Sequence, residues 1–209
     1  MSTPTSTPRR PRRDALENRA DIISAATDLI ARDPHASIDA IARSAGLSRR
    51  ALYGHFDDRD ALVRAVISIG AQRFNAIALT IDDADARVAL ARLASLLWRE
   101  AAHVQVAASI ALDEAHVHDT ADALAPVRRR LAEIVRAGQD DGTLRTDVAA
   151  PTLARLVEEA ARAVITRMDA SSPEARSLAV RAVLSIAGLS WTESVTLLER
   201  HPSLVEDEA

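Results

Sequence analysis

The segment between residues 38 and 56 restricts the possible folds of this chain more than any other feature. It reads Ile-Asp-Ala-Ile-Ala-Arg-Ser-Ala-Gly-Leu-Ser-Arg-Arg-Ala-Leu-Tyr-Gly-His-Phe. Its first apolar residues recur at helical spacing behind a suitable N-cap, Ser37. Gly46 stands where a left-handed C-cap residue is needed, and Ser48 can cap a second helix over about 49–55. The segment therefore predicts two short helices joined by a tight turn.

Two helices joined in this way form a helix-turn-helix, whose second helix contacts DNA base edges with its first residues. Those residues here are Arg49 and Arg50, and arginine can donate two hydrogen bonds to guanine O6 and N7. Leu52 and Phe56 lie on the opposite side and should anchor this helix to the helix that precedes the motif. The alternative is an ordinary helical hairpin with a solvated polar face, which two arginines alone would favour but the whole pattern does not.

Other polar groups around the motif are candidate phosphate contacts. Tyr53 shares a helix face with Arg49, and its hydroxyl can donate to a phosphate. The serines that cap the two helices place N–H groups at helix N-termini, where phosphates bind. A histidine at the end of the second helix and an arginine that opens the next one can add further contacts. The candidate DNA-binding residues are Ser37, Ser48, Arg49, Arg50, Tyr53, His55 and Arg59.

The composition favours an all-helical protein. Hydrophobic residues make up 48% of the 209 residues but aromatic ones only 2%, so the core must be built from Ala, Leu, Val and Ile. Glycine (6) and proline (8) are few and good helix formers dominate. The absence of cysteine excludes disulfides and thiolate metal sites. With no apolar run of about 18 residues and no secretory signal, we expect a cytoplasmic protein that does not enter a membrane.

Positive charge is concentrated at the N-terminal end, although the net charge is -4. All basic residues are arginines, and residues 1–60 hold ten of them against nine acidic residues. Four arginines precede the first acid, within a segment (1–13) too polar to fold alone. We expect 1–13 to be a disordered basic tail, either simply solvated or acting as an arm that touches phosphates or the minor groove.

Helical periodicity covers most of the remaining chain. The expected helices cover about 14–32, a segment capped by Asp57 that extends to about Leu79, 84–116 as two helices, Leu124 to about Gly138, 153–168, and one long helix from Ser171 to about Arg200. Residues 117–122 are expected to form a polar connector.

No catalytic pattern is present. The chain has neither a phosphate-cradling glycine loop nor a Gly-x-Ser-x-Gly motif, so we expect neither an enzyme nor a cofactor. His116 and His118, with Glu114, could suggest a metal ion. However, histidines two residues apart do not share a helix face, so we expect no metal site.

The middle helices carry a few polar residues and a tryptophan on otherwise apolar faces. An apolar cavity with a few placed polar groups is typical of a small-molecule site. Trp98 can be a wall of such a cavity or an ordinary packing residue. The candidate effector-binding residues are Trp98, His103, Gln105, Asp113 and His116.

The segment "SIDAIARSAGLSRRALYGHFDDRDALVRAVI" resembles the tetracycline-repressor (TetR) family of bacterial regulators over roughly residues 15–66. "DDGTLRTDV" at 140–148 resembles a common link in that family. The resemblance implies about nine helices, an effector pocket among the middle helices, and a homodimer whose interface uses the last two helices of each subunit. It places Arg49, Arg50, Tyr53 and His55 on the recognition helix. Arg59 stands where the family often has lysine.

A homodimer is also expected because one helix-turn-helix offers too few base contacts, whereas a two-fold dimer reads two half-sites. Stripes of apolar and small residues on the last helices suit close helix packing, either between chains or within one. Trp191 is expected in the interface or the core. The candidate interface residues are Leu153, Val157, Ala161, Val164, Ala179, Val183 and Ile186.

Together these features predict a helix-turn-helix DNA-binding domain at 14–60 and an effector-binding and dimerisation domain at 61–209. The expected function is that of a transcriptional repressor that binds double-stranded DNA at a palindromic operator. A small-molecule effector would release it. The alternative is a constitutive DNA-binding protein without an effector.

Overall fold

The computed structural model describes residues 11–103, 116–168, 172 and 174–206, and all regular structure among them is helical. This confirms the all-α fold. The helices of this part of the chain are α1 (Pro11–Ile30), α2 (Ile38–Ser44), α3 (Arg49–Tyr53), α4 (Arg59–Leu79), α5 (Ala86–His103), α6 (Val117–Ala123), α7 (Ala125–Asp140), α8 (Ala150–Arg167), α9 (Ala175–Ile186) and α10 (Trp191–Arg200), followed by a 3-10 turn at Pro202–Leu204.

The chain divides into two compact units, Met1–Val66 and Ile67–Ala209. The division falls six residues beyond the boundary expected at residue 60. It lies inside α4, which is one continuous helix, so no turn or change in composition marks it.

The N-terminal unit is built around the side chains of Ile22, Ile41 and Leu52, each fully buried. Phe56 is 3% exposed, so both residues expected to anchor the recognition helix are in the core. Helix α1 begins at Pro11, three residues before the helix start expected at Asp14. Proline is tolerated in a first helical turn, because its missing N–H would have no partner there.

The C-terminal unit is organised around α5, which packs against α7, α8 and α9. Its main core contains aliphatic side chains such as Leu90, Val135 and Leu184. A smaller cluster joins Trp98 to Val164. Aliphatic residues thus build the core, as the composition predicted.

The expected polar connector at 117–122 is wrong, because these residues form helix α6. Two of its last carbonyls accept side-chain hydrogen bonds from other helices. Asn75 Nδ2 donates to the Ala123 carbonyl at 2.9 Å, and Arg128 Nη1 donates to the Ala121 carbonyl at 3.3 Å. Such partners satisfy carbonyls that a helix end leaves open, and sequence spacing does not reveal them.

The expected single C-terminal helix is also wrong. It is broken between α9 and α10 at Gly188, whose φ is +108°. The Ala187 carbonyl, which belongs to this turn, accepts a hydrogen bond from the N–H of Arg145 at 3.0 Å. Ser190 then starts α10 through a capping box with Glu193. The break follows from the left-handed conformation that glycine adopts readily.

The start of α4 differs from the expectation by one residue. Asp58, not Asp57, supplies the cap, because its Oδ1 accepts from the Ala61 N–H at 2.6 Å. Helix α4 is also the one described helix that is long and apolar enough to span a membrane, with a mean hydropathy of 1.2. It carries Arg64 and Arg73, and Leu62 at its start is buried in the N-terminal unit.

Candidate nucleic-acid interface

The turn between α2 and α3 has the geometry that the sequence predicted. Ser37 Oγ accepts from the Ala40 N–H and Ser48 Oγ accepts from the Ala51 N–H, each at 3.2 Å. Gly46 has φ +69°, and the N–H of the next residue closes the end of α2. The caps and the glycine therefore fix the direction in which α3 leaves the turn.

Arg49 is exposed but held by neighbours. Its Nη1 donates to Asp39 Oδ2 at 3.2 Å, and its guanidinium carbon lies 5.5 Å from the centroid of the Tyr53 ring. A hydrogen bond with the Tyr53 side chain and the negative charge of Asp39 raise the pKa of Arg49 above its ordinary value. The residue is therefore a permanent cation in a preferred position.

Arg50 is also exposed and forms no side-chain hydrogen bond or ion pair with another described residue. It follows Arg49 on the first turn of α3, as predicted. Tyr53 is 39% exposed at the end of the same helix. Helix α3 thus presents two cations on its first turn and a phenol at its end to solvent, a set that can contact guanine edges and phosphates.

Arg59 and His55 have roles within the unit that the sequence did not indicate. Arg59 Nη2 donates to the Pro34 carbonyl at 2.6 Å, and its Nε donates to the Ala36 carbonyl at 3.1 Å. These bonds fasten the α1–α2 connection to the start of α4. The carbonyl of His55 accepts from Arg19 Nη1 at 3.0 Å.

Arg19 is a residue that sequence reasoning missed. Its guanidinium carbon lies 4.2 Å from the centroid of the Phe56 ring, in addition to the bond to His55. A cation beyond the C-terminal end of α3 also complements the helix dipole. Its partners lie more than 35 residues away in the sequence, so no local pattern could have identified it.

The candidate effector residues are only partly described. Trp98 is 5% exposed and packs in the small cluster with Val164, and His116 at the start of α6 is 7% exposed. His103 lies at the end of α5. Gln105 and Asp113 lie outside the described residues. Among the described residues no group of histidines and carboxylates could hold a metal ion.

Most candidate interface residues are buried within the single chain. Five of them are 8% exposed or less and so leave little surface for contact with a second chain: Leu153, Val157, Val164, Ala179 and Val183. Ala161 and Ile186 are half-buried. The stripe on α8 fills the core between helices of the same chain, which is the alternative that the pattern left open.

Other apolar side chains of the C-terminal unit do reach solvent. Leu156 on α8 is 46% exposed, Leu178 on α9 is 42% exposed, and Trp191 is 78% exposed. Trp191 therefore does not belong to the core.

Comparison with known proteins agrees with the geometry. Residues 22–66 match the family model described as bacterial regulatory proteins, tetR family. The regulator PfmR from Thermus thermophilus shares the fold with a TM-score of 0.68 and 21% identity, over 81% of this chain and 98% of that one. The fatty acid degradation regulator FadR from Bacillus halodurans aligns with a TM-score of 0.70 and 16% identity, over 87% and 97%.

A third structure, FadR from Bacillus subtilis in complex with stearoyl-CoA, aligns with a TM-score of 0.70 and 15% identity, over 81% and 97%. These TM-scores, at such low identities, establish a shared fold alone. No match was found among curated proteins. The matched family and these three structures are of regulators, and PfmR and the Bacillus subtilis FadR are described as transcriptional regulators.

Proposed function

We propose that this chain, whose residues 22–66 belong to the tetR family of bacterial regulatory proteins, is a ligand-responsive transcriptional repressor of the cytoplasm. The observation that carries the proposal is the first turn of α3. There Arg49 and Arg50 stand exposed on a helix whose direction is set by two serine caps and a glycine turn. This is the arrangement that places a recognition helix in the major groove.

The DNA contacts divide into two kinds. Arg49 and Arg50 read bases, because a guanidinium can bond guanine O6 and N7 together. Tyr53, His55 and the N-termini of α2 and α3 contact phosphates, which position the protein without selecting a sequence. Arg59 contributes through its bonds to the α1–α2 connection and through its charge.

The active form is a homodimer that binds a palindromic operator. One five-residue recognition helix reads few bases, whereas a two-fold pair reads two half-sites about 34–36 Å apart. Leu156 on α8 and Leu178 on α9 support this assembly, since both are large aliphatic side chains left in solvent. A second copy of the same surface would cover them in a two-fold interface.

The effector binds in the C-terminal unit near Trp98 and His116. Trp98 is buried beside aliphatic neighbours, and His116 is a buried side chain with a polar ring; a pair of this kind suits a largely apolar ligand with one polar group. The stearoyl-CoA complex of the Bacillus subtilis regulator makes acyl-CoA thioesters reasonable members of a test panel. The ligand releases DNA only if it binds the DNA-incompetent state more tightly.

A gel-shift assay tests the proposal. The purified chain is mixed with the DNA upstream of its own gene, and the assay is repeated with apolar compounds, cationic compounds and acyl-CoA thioesters. The proposal predicts a specific shift that one class of compound abolishes. A shift that no compound affects would support the constitutive alternative, and the absence of any specific shift would contradict DNA recognition.

A further inference from the structure

We infer that Asp39 is a positioning residue for DNA recognition, which holds Arg49 in the orientation that reads a base. The inference rests on the proposed DNA binding and goes beyond it, because Asp39 is an acidic residue on α2 and is not a DNA contact itself.

The geometry links the two helices of the motif through these side chains. Arg49 Nη1 donates to Asp39 Oδ2 at 3.2 Å, and Arg49 Nε lies 3.2 Å from Oδ1. Oδ1 is screened from solvent and has no hydrogen-bond partner among the described residues, so the arginine is the charge that balances it. The ring of Tyr53 lies near the same guanidinium.

The pair is too exposed to serve mainly as a source of stability. The Arg49 side chain is 64% exposed and that of Asp39 is 41% exposed, and ion pairs in such positions contribute little to folding. The Asp39 carboxylate and the Tyr53 ring can instead restrict the long, flexible side chain of Arg49. An arginine already held in place loses less conformational freedom when it binds, and its planar group keeps other N–H donors for a base edge.

The two adjacent arginines are therefore unequal. Arg50 forms no such pair with a described residue and can follow either a base or a phosphate. Asp39 holds the side chain of Arg49 in one orientation, and the carboxylate of Asp39 also repels the phosphate backbone. Asp39 thus lowers the affinity for any DNA while raising the preference for the correct sequence.

Removing the charge of Asp39 should therefore raise the affinity for unrelated DNA, whereas most damaging substitutions lower it. The neutral variant Asp39→Asn should bind unrelated DNA more tightly and discriminate less. Loss of a structural residue would instead weaken binding to every sequence. Asp60→Asn is the matched control, because it removes an exposed acid from the same unit without touching Arg49.

The experiment uses the full chain and double-stranded probes. Wild-type protein first enriches sequences from a random duplex library of about 20 bp, a length that holds two half-sites one helical turn apart. Binding constants are then measured by fluorescence anisotropy for an enriched duplex and for a shuffled duplex of the same composition. The variants are Asp39→Asn, Asp39→Glu, Asp60→Asn, Arg49→Ala and the double variant Asp39→Asn/Arg49→Ala.

We expect Asp39→Asn to reduce the ratio of the two affinities about fivefold, which is the lower range of one good base contact. The shuffled duplex should bind about twofold more tightly, since one exposed repulsive charge is gone. Asp39→Glu keeps the carboxylate and should retain most of the wild-type ratio, and Asp60→Asn should leave the ratio unchanged. In the Arg49→Ala background, Asp39→Asn should no longer affect it.

A wild-type ratio in Asp39→Asn would overturn the inference while leaving the proposed function intact. The inference would also be overturned if Asp39→Asn lowered the ratio of the two affinities equally in the Arg49→Ala background, because Asp39 would then act through another group. If the wild type itself preferred no duplex, the proposed function would fail together with the role of Asp39.

Discussion

The side chains around α3 divide into those that face solvent and those that hold the motif together. Arg50 and Arg49 belong to the first group, and Leu52 belongs to the second because it is fully buried. Arg59 was expected to act as a phosphate clamp, yet two of its N–H groups bond carbonyls of the α1–α2 connection. A charged residue beside the helix-turn-helix can therefore have a structural role that its position in the sequence does not indicate.

Replacement of Arg50 by alanine should reduce selectivity more than stability. The variant should lose about 1–3 kcal/mol of binding to its preferred duplex and relax the preference at one base position. Arg136→Ala, which removes an exposed arginine from α7, is the control for charge. Competition binding against single-base variants of the duplex measures the effect. Unchanged discrimination would show that Arg50 does not read a base.

Replacement of Arg59 by alanine should destabilise the N-terminal unit. The loss of two hydrogen bonds from a charged donor to the Pro34 and Ala36 carbonyls should cost about 1.5–3 kcal/mol. Urea unfolding followed by circular dichroism measures the change, with the exposed Arg64→Ala as the control. DNA affinity should fall equally for all sequences. Unfolding curves identical to those of the wild type would contradict the fastening role.

At the scale of helices, most local signals in the sequence were reliable, although the cap of α4 is Asp58 and not Asp57. Ser37, Ser48 and Gly46 have the predicted capping roles, because a cap depends on residues within one turn of it. The same kind of signal is present at Ser190 and Glu193, but the apolar periodicity across 178–189 obscured the break at Gly188. The glycine and the capping box set the boundary between α9 and α10, whereas apolar periodicity alone predicted one helix across it.

The features that could not be predicted depend on distant partners. Arg19 meets the His55 carbonyl 36 residues away, and buried Arg176 donates to Ser95 Oγ at 2.9 Å across 81 residues. Whether an apolar stripe faces the core of its own chain or a second chain is likewise decided by packing, as Val157 shows. The recognition helix was predictable because its arginines and its caps are neighbours in the sequence.

Glu193 makes the stability of α10 depend on pH. Hydrogen bonds from the Ser190 side chain and N–H lower the pKa of its carboxyl below the ordinary value of 4.5. A lowered pKa means that the stabilisation is complete above 4.5 and is lost as the pH falls through the folded-state pKa. Urea midpoints of wild type and Glu193→Gln should therefore differ near neutral pH and converge in acid. A difference that persists in acid would contradict this account.

Ser190→Ala should weaken the same helix by removing the acceptor of the Glu193 N–H. The expected cost is about 1 kcal/mol, typical of a lost N-cap. Hydrogen exchange of the first amides of α10 gives the local measure, and Thr196→Ala, an exposed site farther along the helix, is the control. Equal protection in the two variants would show that the cap does not stabilise α10.

At the scale of the whole molecule, the proposal requires two copies of the chain. Leu156→Glu places a charge on the exposed aliphatic surface of α8 and should give a folded monomer in light scattering. Thr196→Glu, on exposed α10 surface, should remain dimeric. Val157→Asp, one residue along but 2% exposed, should instead unfold the C-terminal unit, because an unpaired charge would enter the core. A dimer that survives Leu156→Glu would place the interface elsewhere.

Sequence-selective DNA binding through α3 is the central claim, and one titration tests it most directly. The full chain is titrated at physiological salt against a duplex that it enriches from a random library and against a shuffled duplex. The account predicts a preference of about a thousandfold or more for the enriched duplex. It also predicts near-equal affinities for the two duplexes in the double variant Arg49→Ala/Arg50→Ala. Equal affinities in the wild type, or an undiminished preference in the double variant, would contradict it.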